Sequence, residues 1–132
     1  MEKNKTIAIE WLQSAQDDLD SIRYLLHVEH LTNIVAFHSQ QAVEKSLKAL
    51  MEYHQLPFIK THNIEKLYRH LKQYVSIEID YDYLELINEL YIESRYPGDM
   101  GLLPEGKPSI DDAKGFYEFA SNVFKMAMKE IH

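Results

Sequence analysis

Three polar side chains in residues 34–51, a stretch without Gly or Pro, have the types and the spacing needed to bind an anion. Gln41, Lys45 and Lys48 are separated by four and by three residues, so they share one face if the stretch is a helix. An amide can hydrogen-bond to a ligand, and two ammonium groups can contact a phosphate. A second interpretation stays open, because Glu44 precedes Lys48 by four residues and could pair with it on a solvated helix surface.

Three further side chains are candidates for contacting an anion or a partner. Arg95 precedes a Gly- and Pro-rich segment, and its planar guanidinium suits a phosphate or a carboxylate. It could instead complement the negative end of a helix. Lys60 and His62 precede a predicted helix N-terminus, where backbone N–H groups attract anions. His62 could act in acid–base chemistry near neutral pH, or it could only help to cap that helix.

The sequence contains no pattern that indicates a metal or a cofactor. It has no Cys, which excludes a disulfide framework, a thiolate metal site and a Cys nucleophile. His27 and His30 are three residues apart, but no His-Glu-x-x-His or Glu-x-x-His pattern accompanies them. Glu85, Glu89 and Glu93 recur every four residues without the Glu-x-x-His partners of a di-iron bundle. We expect neither a metal nor a cofactor.

The first two elements are predicted to be long helices. Residues 6–27 carry apolar residues at alternating steps of three and four, which is typical of a helix with a heptad-like seam. The second helix is predicted from Asn33 to Gln55. It is apolar on more than one side, which indicates a central helix whose polar groups face a partner or a cleft. The short connection between the two favours an antiparallel hairpin.

A shorter third helix is predicted after Pro57, which blocks continuation of the second. Thr61 or Asn63 can cap it, because both side chains can accept a hydrogen bond from the first turn. Residues 75–79 alternate in polarity, but no second strand is available to pair with them. We therefore interpret 75–79 as a connector.

Two more helices complete the predicted fold. Asp80 caps the fourth, which ends at 94–96, and residues 96–108 form a long loop rich in Pro and Gly. Ser109 and Asp112 form a capping-box pattern at the start of the fifth. The pattern predicts an all-α, antiparallel up-and-down bundle of four main helices and one shorter helix, in a single domain spanning 1–132.

Composition limits the classes of partner. The net charge is -7 over 132 residues, which argues against a large nucleic-acid footprint but leaves room for a small local basic site. No run of 18 apolar residues indicates a transmembrane helix, and the N-terminus lacks the pattern of a signal peptide. We expect a cytoplasmic protein with no membrane partner. Nine Tyr residues favour protein interfaces.

Four sequence blocks resemble the HEPN domain (higher eukaryotes and prokaryotes nucleotide-binding). The signature-helix block is Phe37-x-x-Gln40-Gln41-Ala42-x-Glu44-Lys45-x-Leu47-Lys48-Ala49-Leu50. The other blocks are Ala15-x-x-Asp18-Leu19, Lys60-Thr61-His62-Asn63 and Tyr91-x-x-x-Arg95-Tyr96-Pro97. They occur in the family's order and cover nearly the whole chain. The resemblance implies a helical bundle, commonly a homodimer, often encoded beside a minimal nucleotidyltransferase and sometimes part of a toxin–antitoxin pair.

The resemblance leaves the reaction open. Many HEPN members are metal-independent ribonucleases that use Arg, four to six intervening residues and then His, but no His occurs in the seven residues after Arg95. Arg23 and His30 match the spacing at the wrong place, on the first helix and its exit. We therefore hypothesise a module that binds a nucleotide or RNA, or a nucleotidyltransferase partner. Its site residues would be Gln41, Lys45, Lys48, Lys60, His62 and Arg95. The alternatives are a ribonuclease with a degenerate motif and a purely structural dimer.

Overall fold

The computed structural model describes residues 2–94 and 107–132, which form five α-helices. The helices are α1 (Glu2–Leu25), α2 (Thr32–Tyr53), α3 (Ile64–Lys72), α4 (Tyr81–Ser94) and α5 (Ile110–Ile131). A 3-10 turn at Glu29–Leu31 joins α1 to α2. The described residues contain no strand, and 75–79 is a connector as predicted. The all-α prediction is confirmed.

Side chains at the helix N-termini define where three helices begin. Asn63 accepts a hydrogen bond from the backbone N–H of Lys66 at 3.0 Å, so Asn63 is the N-cap of α3. Ser109 and Asp112 exchange side-chain and backbone hydrogen bonds, both of 3.0 Å, which is the predicted capping box. Asp80 accepts from the first turn of α4 at 3.2 Å. These caps satisfy N–H groups that have no partner within the helix.

Two predictions fall partly on residues that the structure does not describe. The predicted end of α4 at 94–96 is described only at Ser94. Of the predicted loop 96–108, only Lys107 and Pro108 are described. The remaining expectations for this segment, including Arg95, lie outside the described residues.

Helix α2 is the central helix, and α1 runs antiparallel to it. Asn4 near the start of α1 donates to Glu52 near the end of α2 at 3.3 Å. Further along α1, Asp18 bonds Lys45 at 2.7 Å. Partner numbers thus fall along α2 as they rise along α1, which confirms the predicted hairpin.

Helix α5 packs on α2 in the parallel direction. Thr32, at the first residue of α2, donates its hydroxyl proton to the carbonyl of Pro108 at 2.6 Å. At the other end His54 Nε2 lies 3.1 Å from a carboxylate oxygen of Glu130. Helix α2 is therefore covered by α1 and α5, while α3 and α4 also pack against it.

The core lies along the apolar sides of α2. Val43, Leu47 and Leu50 are completely buried there. Of the predicted α1 seam, Leu12, Ala15, Leu19 and Ile22 are buried. Its fifth predicted member, Leu26, follows the end of the helix and is half-buried. Burial of this apolar area supplies the main driving force for forming the bundle. Within the described part of the chain, no helix is both long and apolar enough to cross a membrane.

A close approach between α4 and α5 occurs at a glycine, Gly115. The phenol oxygen of Tyr83 occupies a position 2.5 Å from where a Cβ atom of residue 115 would stand. The ring is held in place because it stacks on Phe119 at a centroid distance of 4.8 Å and meets Phe116 edge to face at 6.3 Å. Burial raises the pKa of Tyr83, and the charge of Asp112 raises it further, so the phenol stays protonated at neutral pH.

We expect Gly115→Ala to lower the free energy of unfolding by about 1 kcal/mol, since displacing a packed ring outweighs the better helix propensity of Ala. In a Tyr83→Phe background the hydroxyl is gone, and the same substitution should stabilise the protein instead. Urea unfolding of the four proteins measures both effects. Stabilisation by Gly115→Ala in both backgrounds would show that the ring is free to move aside.

Candidate functional site

The candidate site is a polar stripe along α2, between α1 and the start of α3. Its spacing is helical, so Gln41, Lys45 and Lys48 lie on adjoining parts of one face, as predicted. At one end of the stripe α4 crosses over it, where Tyr91 stacks on Phe37 at a centroid distance of 5.6 Å. Most of the stripe is closed in by neighbouring helices rather than open to solvent.

A buried carboxylate, Glu44, organises one group of side chains, which we call the Glu44 network. Only 4% of the Glu44 side chain is exposed. One oxygen accepts a hydrogen bond from Lys48 Nζ at 2.8 Å, and His62 Nδ1 lies 3.1 and 3.2 Å from the two oxygens. The charge of Glu44 is thus compensated inside the protein, as a buried carboxylate requires.

Two glutamines extend the Glu44 network to the chain before α3. Gln40 is completely buried, and its amide group donates to the carbonyl of His62 at 2.8 Å and to Glu44 at 3.3 Å. Gln41 donates to the side-chain oxygen of Gln40 at 2.7 Å. Helix α2 therefore holds both the backbone carbonyl and the imidazole of His62 in place.

A second carboxylate, Asp18 of α1, organises the Asp18 network on the other side of the stripe. One oxygen of Asp18 lies 2.8 Å from His38 Nδ1, and the other accepts from Lys45 Nζ at 2.7 Å. Only 10% of the Asp18 side chain is exposed. The network joins α1 to α2 with one carboxylate that bridges an imidazole and an ammonium group.

The two networks share one arrangement. Each pairs a buried carboxylate with one lysine and with Nδ1 of one histidine. When a neutral imidazole donates its Nδ1 proton to a carboxylate, Nε2 is left with a lone pair for another partner. His62 is the more accessible of the two, with 64% of its side chain exposed against 26% for His38.

The start of α3 excludes one predicted role of His62, that of a helix cap. The interpretation of His62 as a cap of this helix is wrong, because Asn63 is the N-cap and the His62 imidazole turns to Glu44 instead. The backbone N–H groups of the first turn are largely occupied. Ile64 donates to Asn88 at 3.2 Å and Lys66 donates to Asn63 at 3.0 Å. An anion at this end of α3 would therefore meet side chains rather than free backbone donors.

The remaining predicted site residues differ in their surroundings. Lys48 is 13% exposed, and its ammonium group lies 5.4 Å from the ring centroid of Trp11, a cation–π contact. Lys60 is exposed on the connector between α2 and α3, two residues before His62. Arg95 lies outside the described residues, four positions after Tyr91. The structure thus joins Gln41, Lys48 and His62 in one network and places Lys45 in the other.

The site residues predicted from the sequence omit Glu44 and Gln40 of one network and Asp18 and His38 of the other. The predicted i,i+4 pair of Glu44 with Lys48 exists, but a solvated surface is the wrong setting for it, because Glu44 is buried. His38 was not considered, although it lies seven residues before Lys45, which puts the two on one helix face. The signal that could have found the Asp18 network is a carboxylate, Asp18, next to the apolar seam of α1.

The described residues contain no group of three or more His, Asp or Glu side chains placed to hold a metal ion. His27 and His30, the histidines at metal-like spacing, are exposed in the turn after α1 and in the 3-10 segment before α2. Each buried carboxylate of the stripe already has a lysine and an imidazole as partners. The chemistry this arrangement can perform is hydrogen bonding and proton transfer by its own side chains.

Removing the cation from the Glu44 network should strongly destabilise the protein. Lys48→Met leaves a buried carboxylate without its closest countercharge, and we expect a loss of about 3 kcal/mol in the free energy of unfolding. The double variant Glu44→Gln/Lys48→Met should recover more than half of this loss, because no buried charge remains. Lys66→Met, at an exposed position, is the control and should stay within about 0.5 kcal/mol of the parent in urea unfolding. A Lys48→Met loss as small as that of the control would contradict the buried pair.

Comparison with known proteins relates this geometry to a family. One similar solved structure is ST0689, an archaeal HEPN homologue, with a TM-score of 0.71 and 22% identity over 95% of this chain and 98% of that chain. Another is TT1696 from Thermus thermophilus, with a TM-score of 0.71 and 21% identity over 92% of this chain and 96% of that chain. No curated protein matches the sequence. These structures show a shared fold, and the sequence itself matches the HEPN domain over residues 8–131, so the chain belongs to the HEPN domain family.

Proposed function

We propose that this HEPN chain is a nucleotide-binding module whose phosphate-contacting groups are His62 and Lys60, at the edge of the α2 stripe. The observation that supports this most directly is the imidazole of His62. It is largely exposed, yet it is held through Nδ1 by the buried carboxylate of Glu44. A side chain that is both accessible and fixed loses little conformational freedom when it binds a ligand.

The charges of the stripe favour a small anion over a large one. Lys45 and Lys48 are neutralised by Asp18 and Glu44 at 2.7 and 2.8 Å. Adding Lys60 leaves a net charge of +1 when the imidazoles are neutral, since three lysines face two carboxylates. Protonation of either imidazole raises this charge. A mononucleotide phosphate suits such a site better than a long nucleic acid, which needs many unpaired cations.

Within the Glu44 network, Gln41 offers a hydrogen-bonding group for the rest of a nucleotide. Gln41 is half-buried and uses one amide hydrogen on Gln40, which leaves its carbonyl oxygen for a ligand donor. Because the N–H groups of the first turn of α3 are largely occupied, the phosphate would bind mainly through side chains. Its affinity should therefore depend strongly on individual side chains.

We expect His62→Ala and Lys60→Ala each to weaken binding of ATP and GTP by about tenfold, the effect of losing one charge-assisted contact. Arg95→Ala belongs in the same titration series, because the sequence predicts Arg95 at this site. Lys66→Ala is the matched control, since it removes an exposed lysine six residues after Lys60 and should leave the affinity unchanged. Isothermal titration calorimetry gives each Kd. Equal affinity of the parent and the two site variants would rule out the proposed contacts.

A second candidate function is metal-independent cleavage of RNA, and the two carboxylate-held imidazoles specifically favour it. In such a reaction a base removes the proton of a ribose 2′-hydroxyl while its oxygen bonds to the phosphorus. An acid then protonates the departing 5′-oxygen, which leaves a 2′,3′-cyclic phosphate. His62 or His38 could fill the role of base or acid, because each keeps Nε2 available.

We expect any such cleavage to persist in EDTA and to fall at least a hundredfold in His62→Ala, the size typical for loss of a general acid or base. His38→Ala and Arg95→Ala are the companion variants, and His70→Ala on α3 is the control. Gel analysis of a labelled oligoribonucleotide provides the rate. Cleavage at the parent rate in all these variants would identify a contaminating nuclease or another site.

We also propose two protein partners, a second copy of the chain and a nucleotidyltransferase. Nine Tyr residues, with Tyr24 86% exposed and Tyr74 56% exposed, support a homodimer. The role that the family resemblance suggests is association with a nucleotidyltransferase, in a toxin–antitoxin type pair in the cytoplasm. Light scattering of the purified chain tests the dimer. Co-purification with the product of the neighbouring gene tests the pair.

A further inference from the structure

A groove between α1 and α5, on the side of these helices away from α2, is the feature that the proposed function leaves unused. Its volume is about 590 Å³. Leu19 and Phe124, which are 3% and 7% exposed, form its floor, and Met128, 37% exposed, lies at one end. Apolar side chains at the floor of an open groove are typical of a surface that binds a partner.

The charge of the α1–α5 groove is opposite to that of the whole protein. Arg23, Lys114 and Lys125 line it together with a single acidic residue, Glu118, so its net charge is +2. The chain as a whole carries -7. None of the three cations forms an ion pair with any residue that the structure describes, in contrast to Lys45 and Lys48.

The shape of the groove suits a helix. Two packed helices leave a channel between their ridges into which a third helix can lie. From Lys114 to Lys125 the groove extends for roughly 16 Å along α5, which is eleven residues at the rise of an α-helix. A helix in the groove would span about three turns between the cations at its two ends. Apolar side chains of that helix would pack on Leu19, Phe124 and Met128.

We infer that the α1–α5 groove binds an acidic amphipathic helix of a partner protein. Carboxylates near both ends of that helix pair with Arg23 and Lys114 at one end and with Lys125 at the other. The middle of the helix carries no carboxylate where it passes Glu118. A single-stranded RNA fits less well, because it would place a phosphate near Glu118 and would approach a protein whose overall field repels polyanions. This inference stands independently of nucleotide binding at the α2 stripe.

The test uses two synthetic helical peptides of about 18 residues, long enough to form a stable helix. Both carry Leu along one face; one has Glu at the flanking positions and the other has Lys. Fluorescence anisotropy should show that the Glu peptide binds the full chain at least tenfold more tightly than the Lys peptide, with an affinity that falls as salt rises. Lys114→Glu/Lys125→Glu should reverse this preference.

Two further variants separate the effect of the groove from the effect of net charge, and a folding check accompanies them. Lys5→Glu/Lys66→Glu makes the same change in charge at exposed positions outside the groove, and it should keep the preference for the Glu peptide. Met128→Gln should weaken binding of the Glu peptide without altering the preference. Circular dichroism confirms that each variant is folded.

Three results would overturn the inference. The first is equal binding of both peptides, or a preference for the Glu peptide that survives Lys114→Glu/Lys125→Glu. The second is that an oligoadenylate binds, the Glu peptide does not, and the groove variant Lys114→Glu/Lys125→Glu abolishes oligoadenylate binding. That result would assign the groove to nucleic acid. The third is that the parent self-associates by light scattering, excludes the Glu peptide and becomes monomeric in the groove variant, which would assign the groove to a second copy of the chain.

Discussion

The buried carboxylate of Glu44 is the constraint on which the arrangement of the stripe depends. A carboxylate with 4% of its side chain exposed is stable as an anion only if nearby groups replace the water it has lost. Here Lys48 supplies the countercharge, while His62 and Gln40 supply further hydrogen bonds. Since these partners come from α2 and from the segment before α3, satisfying one charge also fixes where the chain re-enters the bundle after α2.

The same requirement explains why most of the charge on the stripe is not free to attract a ligand. Lys45 and Lys48 are held by Asp18 and Glu44 and therefore position other groups rather than add net charge. The groups left accessible are an imidazole with a fixed orientation, His62, and the exposed ammonium of Lys60. The nucleotide site that we propose here would therefore owe its specificity mainly to hydrogen-bond geometry, with a smaller part from Coulomb attraction.

The α1–α5 groove illustrates the opposite distribution of charge. Its cations come from the exposed faces of two helices whose sequences are about ninety residues apart, as with Arg23 and Lys114. They have no ion-pair partners among the described residues, and they surround an apolar floor. An acidic protein with one such surface can use its overall repulsion to exclude most anionic partners, while short-range pairing admits the one that also matches the apolar floor.

Much of the fold follows from local patterns in the sequence, because helices are specified by residues three and four apart and by their caps. The α1 seam, the capping box at Ser109 and the central character of α2 were all predictable on that basis. Helix ends were less accurate, since α1 begins four residues earlier than its periodicity indicates. Membership in the HEPN domain family could also be predicted from the sequence, because the motif blocks are short and keep their order.

The sequence by itself determined which residues share a helix face, and the tertiary structure decided which of them are paired, buried or free. Glu44 and Lys48 are neighbours in any helix, but only the packing of α1 and of the segment before α3 around α2 removes their water. The pairing of Asp18 with His38, and the gathering of Arg23, Lys114 and Lys125 around one groove, depend on contacts between helices distant in sequence. Periodicity within one helix carries no information about such contacts, because they are set by how the helices pack together.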